Sequence, residues 1–124
     1  MFNIPNGVTS IGAYAFYGCN SATSLYLNSS LRTIGECAFR GLTRLTTLTM
    51  PSNVVTIGAS AFAGCYHLGS IIVNRTTPPV LGNGALDDTS NCTIYVPQGS
   101  YDVYVNAEGW SAYRDRIWAA DQDY

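Results

Sequence analysis

Four cysteines (Cys19, Cys37, Cys65 and Cys92), a single histidine (His67) and eight carboxylates are the groups of this 124-residue chain that could do nucleophilic, acid–base or metal chemistry. Structural zinc would need Cys or His pairs at short spacing, and the sequence has neither a C-x-x-C pair nor a histidine cluster. Cys65 and His67 together hold the groups of a thiol hydrolase. Two residues apart, however, they do not naturally face each other, and His67 is expected in a surface turn. The acids gather only at Asp87-Asp88 and at Asp121 and Asp123, where they solvate a turn and a terminus. Asn28-Ser-Ser, Asn74-Arg-Thr and Asn91-Cys-Thr are N-glycosylation sequons, which matter only in a eukaryotic secretory pathway. No catalytic, metal-ligating or cofactor-binding residue is assigned, and an enzyme is not expected.

Bulk properties narrow the classes further. The net charge is −2, lysine is absent, and the six arginines are scattered, so the dense basic stripe that nucleic acid requires is missing. No run approaches the ~18 consecutive apolar residues of a membrane span. With neither a basic start nor an apolar signal-like segment, the sequence reads as a mature form, a fragment or a cytoplasmic chain. A hydrophobic content of 47% is enough to fill one core.

What organises these residues is a repeat. "TSIGAYAFYGC", "RTIGECAFRGL" and "VTIGASAFAGC" place Ile-Gly at 11, 34 and 57 and Ala-Phe at 15, 38 and 61, a period of 23 residues. Phe2, Leu25, Leu48, Ile71 and Ile94 keep the same interval, as do Ile4, Leu27, Met50, Val73 and Val96. Each pair has the i, i+2 spacing of a short strand with one buried face. Five strands are therefore predicted, over Met1–Ile4, Ser24–Leu27, Thr47–Met50, Ser70–Val73 and Thr93–Val96. A second apolar set (Val8, Ile11, Phe16 and their equivalents) is expected to pack behind the sheet. Glycines 12, 35 and 58, and 18, 41 and 64, mark places where a side chain would collide or φ must be positive. Stacking puts Cys19 and Cys65 two coils apart, roughly 10 Å, beyond the ~7 Å reach of a disulfide. Both are expected as small buried hydrophobes.

Ile-Pro, then Ile-Gly-x-x-Ala-Phe-x-Gly-Cys and a following Leu-x-Leu at this period resemble the BspA-like leucine-rich repeats. Three repeats carry the likeness, and the segment from Thr76 to about Ile117 looks like the family's closing module, a worn repeat followed by a helical cap. Asn28 stands where that pattern has proline, Leu42 where it has cysteine, and Leu86 and Asp88 where it has Phe and Gly. The resemblance implies an α/β solenoid, right-handed, with a short parallel sheet of about five strands and a C-terminal helical cap. It also implies a bacterial cell-surface or secreted protein that binds other proteins, with extracellular matrix proteins among the partners.

In that fold residues 1–97 form the solenoid, about four repeats with the last degenerate, and 98–124 the helical cap and tail. The cap is expected to start at a helix capped by Ser100, to break at Gly109, and to close the stack with Tyr101, Tyr104, Trp110, Tyr113, Ile117 and Trp118. Side chains between the buried strand positions point outward in a row, Asn3, Tyr26, Thr49, Ile72 and Tyr95, flanked by Ser24, Thr47, Ser70 and Thr93. This row is the candidate ligand-binding face, because exposed tyrosine gives large contact area at low entropic cost. The expected function is a non-enzymatic protein-interaction or adhesion module, with a structural spacer or assembly repeat and glycan binding through Tyr26, Tyr95 or the tryptophans as alternatives. The N-terminal strand "MFNIP" has no cap before it, so self-association through that edge, or further repeats upstream, is a further expectation.

Overall fold

A computed structural model describes residues 2–89 and 92–120. The strands follow the coil period: β1 Phe2–Asn3, β2 Ser10–Ile11, β3 Leu25–Tyr26, β4 Thr33–Ile34, β5 Thr47–Met50, β6 Thr56–Ile57, β7 Ser70–Val73, β8 Val80–Leu81 and β9 Thr93–Val96. Helix α1 (Tyr101–Val105), a 3₁₀ helix (Trp110–Arg116) and β10 (Ile117–Ala119) follow among the described residues.

All pairing is parallel, and register follows the repeat directly: Leu48 opposes Ile71 and Ile71 opposes Ile94. β5, β7 and β9 have the bounds expected from the sequence. β1 and β3 are only two residues long and pair with each other, and β3 lies beside β5 without joining its ladder.

Two features depart from the sequence reading. The second apolar set does not merely pack behind the first sheet. Ile11, Ile34, Ile57 and Leu81 belong to a second parallel sheet, ordered β2-β4-β6-β8. Short strands arise there because whatever backbone one coil adopts, the next coil repeats directly against it, so any extended dipeptide finds a partner. The second departure is β10. Ile117, Trp118 and Ala119 pair with Ile94, Tyr95 and Val96, again 23 residues on, so the first sheet gains a strand from the segment expected to be pure cap.

Between the sheets the core is a stack of equivalents. Phe16, Phe39 and Phe62 lie ring on ring, 5.3 Å between successive centroids and within 10° of parallel. Leu86 takes over in the worn repeat and remains buried. All four cysteines are free; Cys65 is fully buried, as expected, whereas Cys19 in the first coil is half-buried. The Cys65 thiol faces the Phe39 carbonyl at 3.4 Å, and burial pushes its pKa up to about 11.

The two glycine sets have different causes. At Gly35 and Gly58 an added Cβ would sit 2.6 Å from backbone atoms of the preceding coil, whereas at Gly12 it would meet nothing within 4 Å. Gly18, Gly41 and Gly64 instead have φ of 73°, 82° and 74°, and Asp88 holds the equivalent place at 58°. Tyr14, Cys37 and Ser60 share a second left-handed position at 54–61°, filled by Gly84 in the last repeat. No residue pattern marks this position, because three different side chains occupy it.

At the C-terminal end Trp110, Tyr104 and Tyr113 are buried as expected. The Trp110 indole donates to the Pro79 carbonyl at 2.8 Å, and the Tyr104 hydroxyl to that of Arg75 at 2.5 Å. Gly109, at φ 84°, separates the two helices, and a Cβ there would lie 2.7 Å from the Leu81 carbonyl oxygen, so only glycine lets the backbone cover the edge of β8. Three cap expectations need correction. Ser100 precedes α1 but makes no side-chain cap bond; it is buried, and its carbonyl accepts from Tyr104 N–H. Tyr101 and Trp118 close nothing, since both remain largely exposed: Tyr101 sits at the start of a five-residue helix with its outer face in solvent, and Trp118 falls at the outward position of β10.

The Tyr113 hydroxyl donates to Asp87 Oδ1 at 2.8 Å and accepts from Leu86 N–H at 3.3 Å, tying the cap to the worn repeat. Burial, then the bond to Asp87, raises its pKa from 10.0 to about 12. A raised phenol pKa favours the folded state while the group is neutral in both states. That contribution is complete below pH 10 and is lost as pH rises toward about 12, because the unfolded chain ionises first. Denaturant unfolding at pH 8 and pH 11 should therefore show lower stability at the higher pH, with a smaller difference in Tyr113→Phe; an equal difference in both proteins would show that Tyr113 is not responsible.

Candidate binding face

The outward positions of the first sheet are set by strand alternation alone. With Leu48 and Met50, Ile71 and Val73, and Ile94 and Val96 buried, Thr49, Ile72 and Tyr95 must project from the opposite face. Thr49 pairs with Ile72 and Ile72 with Tyr95, so these side chains form one row across adjacent strands. Asn3 and Tyr26 are paired in the two-stranded piece and continue it on the N-terminal side. Asn3, Tyr26, Thr49 and Ile72 are exposed, Tyr26 by 49% and Ile72 by 37%, while Tyr95 is half-buried. In the flanking row Thr47 is exposed, and Ser24, Ser70 and Thr93 are partly covered.

Trp118 is the residue that sequence reasoning left out of this row. It pairs with Tyr95 on β10 and is 58% exposed, the largest aromatic on the face. The signal was present, since 118 lies 23 residues beyond 95. It was obscured because the intervening cap has no repeat pattern and its aromatic residues read as one closing cluster.

The remaining candidate groups disperse. Cys65 points into the core, whereas His67 is exposed, with Nδ1 2.7 Å from the Thr43 carbonyl oxygen, so the two form no dyad. Among the described residues no group of three His, Cys, Asp or Glu side chains could hold a metal ion. Trp110, considered above for glycan contact, is inside the core. Asn28 of the first sequon is fully buried and Asn74 of the second is exposed; Asn91 lies outside the described residues. No described helix is long and apolar enough to cross a membrane.

The model of the BspA type leucine rich repeat region matches residues 1–107, in six copies. The chain belongs to the BspA-type leucine-rich repeat family. Repeats of this kind are generally non-catalytic and serve protein interaction or surface roles. Among solved structures, this BspA-type chain is similar to a leucine-rich repeat protein from Bacteroides ovatus, at 28% identity and a TM-score of 0.66 over 83% of this chain and 27% of that one. It also shares its fold with the pneumococcal vaccine antigen PcpA, at 19% identity and a TM-score of 0.65 over 97% of this chain and 34% of that one. The chain thus spans about a quarter to a third of the length of these two neighbours. No curated protein matches it.

Proposed function

We propose that this BspA-type module is a non-enzymatic, extracellular interaction module that presents its first sheet to a protein partner, with host matrix proteins as the class to test first. The observation that carries this reading is the outward row Tyr26, Thr49, Ile72, Tyr95 and Trp118, exposed save for the half-buried Tyr95 and mixed aromatic and aliphatic, on strands whose other face anchors them in the core. Asn3 would extend the contact, and Ser24, Thr47, Ser70 and Thr93 would form its polar flank. In this reading residues 1–97 present the face and 98–124 close the stack, with Trp118 returning to the face. Five strands at ~4.8 Å spacing and four residues at ~3.3 Å cover roughly 19 by 13 Å. That is small beside the ~800 Å² per partner of a standard interface, so one module binds weakly and several copies or more repeats supply avidity.

The test is surface binding of the purified protein to a panel of matrix proteins beside Ile72→Asp. The substitution places a charge in the exposed row while Ile71 and Val73 stay buried. Loss of at least tenfold in affinity, at unchanged melting temperature, is the expected result. Equal binding by both proteins would move the site off the sheet, and a nanomolar one-to-one complex of the isolated monomer through this face would contradict the avidity argument.

A further inference from the structure

Two open cavities meet at β10. The first, about 640 Å³, lies between the start of α1 and the end of the 3₁₀ helix, lined by Tyr101, Asp102, Arg114, Asp115 and Trp118 with the strand residues beside them. The second, about 420 Å³, is lined by Thr93, Ala112, Tyr113, Asp115, Arg116 and Trp118. Asp115 and Trp118 belong to both, and both volumes fall within the roughly 300–1,000 Å³ of small-molecule sites.

The polar groups around the first cavity are uncommitted. Among the described residues the side chains of Tyr101, Asp102, Arg114, Asp115 and Trp118 form no hydrogen bond or ion pair. Their neighbours do: the Tyr113 hydroxyl donates to Asp87, and Arg116 donates to Thr89 Oγ1 at 3.2 Å and lies over the Tyr113 ring. Two carboxylates, a guanidinium and a phenol therefore surround an exposed indole without satisfying one another.

We propose that this double cleft binds a neutral oligosaccharide, with one sugar ring stacked on Trp118 and its hydroxyls bonded by Asp115 and Arg114. A pyranose has a C–H face that suits an indole and a rim of hydroxyls that each donate and accept. A carboxylate only accepts and a guanidinium only donates, so a cleft that offers both can bond one hydroxyl in both senses. Across the double cleft Asp102 and Asp115 stand against Arg114 and Arg116, so the lining carries no net charge and selects a neutral ligand over phosphates and acidic sugars. Because both cavities share Trp118, the ligand has more than one ring. Trp118 also stands at the end of the sheet row, but Asp115 does not, which keeps this site separable from the protein-binding face.

The experiment is isothermal titration of the whole chain with maltotriose, mannotriose and triacetylchitotriose, with sialyllactose and an extended hexapeptide as controls. At least one neutral trisaccharide should bind saturably. Trp118→Ala and Asp115→Asn should each weaken it at least tenfold, and Ile72→Asp should leave it unchanged. Should Trp118→Ala fail to fold, Asp115→Asn, at an exposed position, carries the test alone. No heat from any neutral sugar up to about 10 mM, well above the ~1 mM of weak ligands, overturns the proposal. So does undiminished binding by Asp115→Asn, or binding of the peptide or sialyllactose in place of the neutral sugars.

Discussion

Gly58→Ala should destabilise the protein by about 3 kcal/mol, while Gly12→Ala changes its stability by no more than about 0.5 kcal/mol. The two glycines are equivalent in sequence, each following the inward isoleucine of its repeat. A Cβ at position 58 would lie 2.6 Å from Glu36 N and Gly35 C, backbone atoms that belong to the preceding coil and cannot swing aside. The Gly58 N–H also donates to the Ile34 carbonyl at 2.8 Å, so a retreat of the chain would break the bond joining the two coils. At Gly12 the same Cβ meets nothing and φ is not positive, so alanine loses no contact and gains a little from the smaller entropy of its unfolded chain. Thermal or urea unfolding of both variants checks this, with about 10 °C of separation expected in melting temperature at ~4 °C per kcal/mol. Equal loss at the two positions would mean that close approach between coils is not what selects glycine. In a protein where another coil abuts the Gly12 face, the two costs should become alike, which makes the pair a probe of that face in any longer array.

Asn28→Leu is the second change expected to be severe, costing on the order of 2–4 kcal/mol. Asn28 occupies the place of Pro5 and Pro51, one period away on either side, and is fully buried. Its Nδ2 reaches the carbonyl oxygens of Pro5 at 2.6 Å and of Ile4 and Val8 at 3.3 Å, and its Oδ1 accepts from Ser30 N–H at 2.6 Å. One side chain thus satisfies both the turn it belongs to and the turn of the coil before it. Leucine of similar volume keeps the packing but strands buried carbonyls and an amide, and stranded polar groups cost more than a hydrogen bond contributes when made. Asn53 is the control: its Nδ2 donates to Ser29 O at 2.6 Å from an exposed position, so Asn53→Ala should cost less than about 1 kcal/mol, water replacing the lost partner. Similar losses from the two substitutions would show that the hydrogen bond itself, and not its burial, is what makes Asn28 important.

The departures of the second and last repeats from the family pattern prove to be local solutions. Asn28 replaces a rigid ring by hydrogen bonds, Leu42 fills a cysteine's place in the core, and Asp88 adopts the backbone of the glycine it replaces. Each substitution meets the same requirement by different chemistry, which is why the coils stay in register through them.

Much of the fold and of the candidate face was legible because a 23-residue period is a distance law. Once the coils stack, residues one period apart must be neighbours on adjacent strands, so β5, β7 and β9, the buried Leu, Ile and Phe positions and the row through Tyr26, Thr49, Ile72 and Tyr95 all follow from spacing and strand alternation. The period could not show what depends on backbone conformation or on contacts between unlike segments. The left-handed backbone at Tyr14, Cys37 and Ser60 is a φ value that no side-chain pattern encodes, and the second sheet and the ladder break beside β3 are matters of backbone pairing that the period leaves open. The cap lacks the repeat altogether, so only tertiary packing divided its aromatic residues, placing Tyr104, Trp110 and Tyr113 against the last coil and turning Trp118 outward beside Asp115 and Arg114. Repetition makes position along the chain equivalent to position in space; where repetition stops, side-chain packing alone decides which residues are core and which are site.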